Sequence, residues 1–98
     1  MTTSIKVVAR VVIAPGQEAA FEKHASALSI ATRDEEGCLS YHLFRNSAQQ
    51  GVYVFVEDWA SREDWEKHMS GTAIRSFNTQ LSPGTIAHIE IHALDQIA

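Results

Sequence analysis

The feature that most constrains this chain is a pair of strand-like segments that are apolar on both faces. In the segment Val52 to Trp59, valines occupy one set of alternate positions and aromatic residues the other, and only Glu57 and Asp58 interrupt the pattern. The segment Ile5 to Ile13 keeps two valines on the face that also carries its two basic residues. A strand with one solvated face should alternate apolar and polar residues. We therefore expect a sheet that is covered on both faces.

The size of the chain decides what provides this cover. With 98 residues, the chain has enough helix to cover one face of a sheet but not two. An exposed apolar sheet face would exceed the few hundred Å² that a monomer tolerates. The simplest cover for the second face is another copy of the same surface, so we predict a homodimer packed through its sheets, in the manner of a dimeric α/β barrel.

The order of the predicted elements defines the fold class. β-Branched runs bounded by turn residues predict four strands, at Ile5–Ile13, Cys38–Arg45, Val52–Trp59 and Thr85–Leu94. Apolar residues at three- and four-residue steps predict a helix from Gln17 to about Arg33. A capping box at Ser61–Asp64 begins a second crossover of two short helical pieces. The order βαββαβ predicts a ferredoxin-like α+β fold: a four-stranded antiparallel sheet with helices on one face, forming one domain over residues 1–98 with its core at about 5–94.

Charge and cysteine content exclude several classes of function. The formal charge is −4, and the basic residues are scattered, which argues against nucleic acid or an anionic membrane surface as a partner. Cys38 is the single cysteine, so neither an intrachain disulfide nor a cysteine-based zinc site is expected. The segment Met1 to Lys6 lacks the apolar run of a signal peptide. These features predict a cytoplasmic protein.

His68 is the residue best suited to chemistry. The sequence has no glycine-rich phosphate loop, no G-x-S-x-G and no HExxH motif. His68 shares a helix face with Trp65, where a hydrophobic residue would pack at lower cost. A buried imidazole can take and return a proton near neutral pH. The alternative is a structural histidine, hydrogen-bonded to Glu57 or to a strand carbonyl.

A second histidine pattern occurs on the last strand. His88, Glu90 and His92 share one face at a spacing that allows side chains to converge on a metal ion. On an acidic protein, a polar strand face or a network at a dimer rim explains the same pattern, and a metal site also needs ordered supporting groups. We therefore predict no metal site.

Four motifs in order resemble the antibiotic biosynthesis monooxygenase family. They are P-G before the first helix, R-x-E-x-G-C-x-x-Y from Arg33 to Tyr41, E-x-W from Glu57 to Trp59, and His68 nine residues on. The likeness extends from about Ile5 to Leu94. It implies a dimeric ferredoxin-like fold with a ligand cleft between sheet and helices. Members of the family include quinol and polyketide monooxygenases that use molecular oxygen without metal, flavin or haem, together with haem-degrading enzymes and a sugar-phosphate isomerase.

At several positions the chain departs from the sequence patterns of particular family members, and these departures reduce the range of activities that we expect. Counted from the haem degraders, His68 occupies the place of their pocket tryptophan and Asn78 the place of their haem ligand, so haem degradation is not expected. Relatives of the quinol oxygenases carry H-x-x-S-P-H-x-x-x-F after the second helix. This chain keeps His68 and Phe77 of that pattern but has Ala73 at the second histidine, which argues against a two-histidine mechanism.

The resemblance and the residues together give a leading hypothesis. We predict a monooxygenase without a cofactor, with molecular oxygen as co-substrate, acting on a small electron-rich aromatic such as a hydroquinone or a phenolic polyketide. His68 is the predicted base, oriented by Glu57. The predicted substrate contacts are Trp59, Trp65, Tyr41 and Phe77 as aromatic walls, Arg10 as partner of a developing anion if its side chain turns inward, and Asn78. An isomerase of a small carbonyl compound and a non-catalytic dimeric binding protein remain alternatives.

Overall fold

The computed structural model describes residues 3–98 and contains four strands and three helices. The strands are β1 (Ile5–Ile13), β2 (Cys38–Arg45), β3 (Val52–Trp59) and β4 (Ile86–Leu94). The helices are α1 (Glu18–Arg33), α2 (Arg62–Met69) and α3 (Thr72–Gln80). The order βαββαβ is confirmed, with the second crossover divided into two helices as predicted. The last strand begins one residue later than expected, because the backbone amide of Thr85 donates a hydrogen bond to the Ser82 carbonyl and closes the preceding turn.

The strands form one antiparallel sheet in the order β2-β3-β1-β4. The register aligns Val7 of β1 and Tyr41 of β2 with Glu57 of β3, so these three side chains project from the same face. All three helices lie on that face, as the ferredoxin-like prediction requires. No helix within residues 3–98 is both long and apolar enough to span a membrane.

The core lies between the helices and the inner face of the central strands. Helix α1 is buried along one face, at Phe21, Ala25, Leu28, Ser29 and Thr32. The ring of Phe21 lies 4.8 Å from that of Tyr53 and about 6 Å from those of Phe55 and Phe77. Aromatic pairs at these separations stabilise beyond their buried area alone, by about 0.5–1.5 kcal/mol each. This cluster fixes α1 and α3 against β3.

The opposite face of the sheet has no helix on it. Val8 and Val12 of β1 and Val54 and Val56 of β3 form its centre and are half-buried by their neighbours in the sheet. Phe44 on β2 leaves 55% of its surface exposed. Both faces of the central strands carry apolar residues, as predicted, and the open face also carries the two basic residues of β1. Covering of this face by a second copy remains a prediction.

Candidate active site

His68 lies in the last turn of α2 and is only 3% exposed. The N-cap of its helix is Ser61, whose hydroxyl accepts from the amide of Asp64, as the predicted capping box requires, and donates to the carboxylate of Asp64. Trp65 and His68, three residues apart, lie on the face turned toward the sheet. A polar ring is therefore held in a position that packing alone would assign to a hydrophobic residue.

The partner of His68 is Glu35, in the loop between α1 and β2. The imidazole Nδ1 lies 2.7 Å from Oε1 of Glu35. Gly37 brings the loop this close, because its φ of 78° suits glycine and a Cβ at this position would overlap the side chain of Asp64. The amide of Ala60 also donates to the Gly37 carbonyl, at 2.8 Å. Two contacts of the loop with the start of α2 thus bring Glu35 to the imidazole.

The pairing assigns the imidazole its role. A carboxylate is a hydrogen-bond acceptor, so Nδ1 carries the proton and Nε2 keeps its lone pair. Burial lowers the pKa of His68, and the hydrogen bond and charge of Glu35 act in the opposite direction. The ring is therefore neutral at neutral pH and able to accept a proton at Nε2.

Aromatic rings surround the imidazole. The Trp59 ring lies 4.8 Å from that of His68 at an interplanar angle of 34°, and the Tyr41 ring lies 5.5 Å away at 64°. Burial raises the pKa of Tyr41, so its phenol stays protonated. Water has little access to this cluster, which strengthens the hydrogen bond between Glu35 and His68.

Glu57 is a second buried acid in the same cluster, and its role differs from the expected one. Its carboxylate accepts from Nε1 of Trp59 at 2.9 Å, whereas His68 is paired with Glu35. The expectation that Glu57 orients His68 is thereby corrected. Glu57 is 4% exposed, and burial raises its pKa to about 7, the Trp59 hydrogen bond lowering it and the charge of Glu35 raising it. Glu57 therefore exchanges a proton near neutral pH.

We expect Glu57→Gln to change the pH dependence of stability. The carboxyl ionises near 4.5 when unfolded and near 7 when folded, so its contribution to stability is complete below pH 4.5 and is lost as the pH rises through 7. Glutamine keeps the acceptor for Trp59 and cannot ionise. The variant should match the wild type at pH 4 and exceed its unfolding free energy by about 3 kcal/mol at pH 8.

Urea denaturation at the two pH values measures this difference, and the contribution of His68 cancels because both proteins contain it. Glu63→Gln, an exposed acid on α2, is the control and should change little at either pH. An equal difference for Glu57→Gln at pH 4 and pH 8 would contradict the raised pKa.

The space next to His68 is smaller and more polar than the expected aromatic cleft. A cavity of about 220 Å³ reaches the histidine and is lined by residues of α2, α3 and the α1–β2 loop: Glu35, Glu36, Asp64, Lys67, His68, Gly71 and Thr72. Trp59, Tyr41 and Phe77 are instead buried core residues. Trp59 and Tyr41 pack against the His68 ring and Phe77 packs against Phe21, which removes their apolar surface from water. The aromatic residues expected to line a cleft therefore fill the core instead.

Trp65 is the exception among the expected wall residues. It is half-buried beneath the guanidinium of Arg62, which lies 5.6 Å from the indole ring. Its Nε1 is buried and has no hydrogen-bond partner within residues 3–98. Buried donors without an acceptor are rare in proteins. Trp65 thus offers a donor one helical turn from His68.

Arg10 and Asn78 lie elsewhere. Arg10 alternates with the buried positions of β1 and therefore projects from the open face, where its Nη1 lies 3.5 Å from Glu90. This corrects the expectation that Arg10 turns into the cleft. Asn78 is exposed on α3. The structure brings neither residue to the cluster around His68.

The polar residues of β4 form a network centred on Glu90. Its carboxylate lies 3.2 Å from Nε2 of His88 and 3.7 Å from Nε2 of His92. The hydrogen bond from His88 holds the pKa of Glu90 below its usual value, with smaller contributions from the neighbouring charges. Among residues 3–98, no three His, Cys, Asp or Glu side chains are arranged to hold a metal ion. The network is an exposed set of polar contacts on the edge strand β4.

Glu35 is the functional residue that the sequence analysis missed. The acid lies within the R-x-E-x-G-C-x-x-Y motif, but it is 33 residues from His68 in the chain. The motif marked the loop as distinctive, whereas the contact depends on how the loop folds onto α2.

Comparisons with known proteins agree with the fold and the motifs. A family model described as antibiotic biosynthesis monooxygenase matches residues 4–80. The Mycobacterium tuberculosis protein Rv0793, named as a candidate monooxygenase, is 31% identical over 81 residues, which make up 83% of this chain and 79% of that protein.

Solved structures share the fold over nearly the whole chain. PA3566 from Pseudomonas aeruginosa has a TM-score of 0.90 at 26% identity, covering 100% of this chain and 98% of that one. A candidate antibiotic biosynthesis monooxygenase from Caulobacter crescentus has a TM-score of 0.89 at 28% identity, covering 99% of this chain and 92% of the other.

Proposed function

Because the chain belongs to the antibiotic biosynthesis monooxygenase family, we propose that it is a cofactor-independent monooxygenase of a small electron-rich aromatic, either a hydroquinone or a phenol of the polyketide type. The observation that carries the proposal is the buried imidazole of His68, held through Nδ1 by Glu35 at 2.7 Å. An imidazole oriented in this way is a general base with a defined tautomer. The chemistry of an electron-rich phenol needs little more than such a base and the exclusion of water.

In the proposed reaction, Nε2 of His68 takes the proton of a ring hydroxyl. The resulting phenolate transfers one electron to molecular oxygen, and the two radicals combine to form a carbon–oxygen bond. Loss of water from the adduct leaves a quinone carbonyl, so that a phenol and O₂ give a quinone and H₂O. One oxygen atom enters the product and the other leaves as water. The carboxylate of Glu35 stabilises the imidazolium formed in the first step.

Two further residues support the reaction. Glu57, with its pKa raised to about 7 by burial, holds a proton at neutral pH and supplies it when water leaves the adduct. The indole N–H of Trp65, buried without an acceptor among the described residues, donates to the substrate oxygen. The substrate reaches His68 through the polar cavity.

Oxygen uptake tests the proposal. Purified protein would be incubated in air with a panel of hydroquinones and phenols in an oxygen electrode, with uncatalysed autoxidation subtracted. The proposal expects saturable oxygen uptake with at least one aromatic. Exchange of carbon-bound protons of carbonyl compounds without oxygen uptake would indicate the isomerase, and binding without either reaction would indicate a binding protein. Either result contradicts the oxygenase.

We expect Glu35→Gln to slow the reaction by acting on the imidazole. Glu35 raises the pKa of His68 against the effect of burial, so its loss lowers that pKa further and weakens the base. The variant should lower kcat by about 10- to 100-fold with little change in KM. An NMR titration of the His68 ring provides an independent measurement, because a purely structural role would leave its pKa unchanged. Asp34→Asn, which changes an exposed acid of the same loop outside the cavity lining, is the control.

We also propose that the protein acts as a homodimer packed through the open sheet face. On this face Val52, Val54 and Val56 form an apolar row along β3, and Val8 and Val12 of β1 lie opposite Val56 and Val52, on either side of Arg10. Helices cover only the other face. A two-fold interface needs one self-complementary surface, and this face provides an apolar centre with the polar network of Glu90 at one side.

A further inference from the structure

A second cavity lies between α1 and the edge strand β2, apart from the cavity at His68. It has a volume of about 380 Å³, within the range of about 300–1,000 Å³ typical of small-molecule sites. We call it the α1–β2 groove, and its lining residues are Glu22, Ser26, Ser29, Ile30, Arg33, Leu43, Arg45 and Tyr53.

The side-chain repeats of a helix and a strand explain how the groove is formed between α1 and β2. The α1 residues from Glu22 to Arg33 recur at three- and four-residue steps, which places them along one helix face over a length of about 16 Å. Leu43 and Arg45 are alternate residues on the helix-facing side of β2. Ile30, which is 65% exposed, and Leu43 supply the apolar part of the lining.

In the groove, the carboxylate acceptor is already hydrogen-bonded, whereas N–H donors of the arginine side chains remain without an acceptor in the described part of the chain. The Glu22 carboxylate accepts from the Tyr53 hydroxyl at 2.5 Å and lies 4.0 Å from Nη1 of Arg45. Burial and the Glu22 carboxylate raise the pKa of Tyr53 to about 12, so the phenol remains a donor to Glu22. Arg33 donates through Nε to the Tyr41 carbonyl at 3.0 Å, and its side chain makes no other hydrogen bond within residues 3–98.

The charge of the groove differs from that of the whole chain. Two arginines and one glutamate line it, whereas the chain carries a formal charge of −4. The side chain of Arg45 is 70% exposed and makes only the long contact with Glu22. A guanidinium has five N–H donors in a fork that fits a carboxylate. The free N–H donors of the arginine side chains therefore favour a ligand that carries an anionic hydrogen-bond acceptor.

We propose that the α1–β2 groove binds a small carboxylate with an apolar body. The carboxylate pairs with Arg45 and the body lies on Ile30 and Leu43. Tyr41 connects residues of the two sites: its carbonyl accepts from Arg33 of the groove, and its ring lies 5.5 Å from that of His68. The proposed site stands on its own lining residues and does not require the oxygenase reaction.

Octanoate, 1-octanol and octylamine are the probes for this site. Binding would be followed by methyl NMR of the full chain, with the signals of Ile30 and Leu43 assigned. We expect octanoate to shift both signals in a saturable manner, and to bind at least fivefold more tightly than octanol or octylamine. Equal binding of the three probes, or octanoate shifts confined to other methyl groups, would overturn the proposal.

Variants separate the roles of charge and apolar contact. Arg45→Ala should weaken octanoate binding at least fivefold, and Ile30→Asp should abolish it by adding a negative charge. Both positions are exposed, so neither change should affect folding. Arg75→Ala, an exposed arginine on α3, should leave binding unchanged. Equal affinities of the Arg45→Ala and Arg75→Ala variants for octanoate would contradict the assigned site.

Discussion

Replacing His68 with glutamine is expected to slow aromatic-dependent oxygen uptake by about 10²- to 10⁴-fold, the usual contribution of a general acid–base group. Glutamine can still donate to Glu35 and roughly fills the space of the ring, but its amide cannot accept the hydroxyl proton. The loss should therefore appear in kcat rather than in KM. The measurement is the oxygen electrode with the most active aromatic of the panel.

His24→Gln is the matched control for this variant. His24 is also a helical histidine bonded to another element, through Nδ1 to Gln80 at 3.1 Å, but it lies away from Glu35 and Trp59. Its oxygen uptake should equal that of the wild type. Circular dichroism and thermal unfolding would show that both variants are folded. A folded His68→Gln protein that keeps full activity would remove His68 from the mechanism.

Placing an acid at Val56 is expected to break the dimer. Val56 lies at the centre of the open face, opposite Val8 on one side and His42 on the other. In the proposed interface, Val56→Asp would bury a carboxylate among the valines of two copies, which costs several kcal/mol. The dissociation constant of the dimer should rise by at least about 100-fold, which corresponds to about 2.7 kcal/mol.

Sedimentation equilibrium measures this change directly. The wild type should have twice the chain mass of 10.8 kDa, and Val56→Asp should have the mass of one chain at the same concentration. Ile30→Asp, an apolar-to-acid change on the exposed side of α1, is the control and should remain dimeric. A wild-type protein that sediments as a folded single chain would show that the open face needs no second copy.

The strands and their faces were predictable because side chains alternate in a strand with a fixed period. This period places Glu57 and Trp59 on the inner face and Val54 and Val56 on the outer one, as the sequence indicated. The same period excludes Arg10 from the inner face. The expectation that it would turn inward gave a flexible side chain more reach than its strand position allows.

The site was less predictable because it depends on contacts between distant segments. Glu35 reaches His68 only because Gly37 lets the loop pack onto Asp64 of α2. No local pattern specifies such a contact. The burial of the aromatic cluster also depends on contacts between distant segments. The sequence shows that Trp59 is apolar, but it does not show whether the ring lines a cleft or fills the core. Packing of the cluster around Phe55 decides this.

The most direct test of the account is the fate of labelled oxygen. The protein would turn over its most active aromatic under ¹⁸O₂, and mass spectrometry would follow both the organic product and the water. The account predicts one labelled atom in each product molecule and one in the water released, with the rate lost in His68→Gln. An organic product without the label would contradict it.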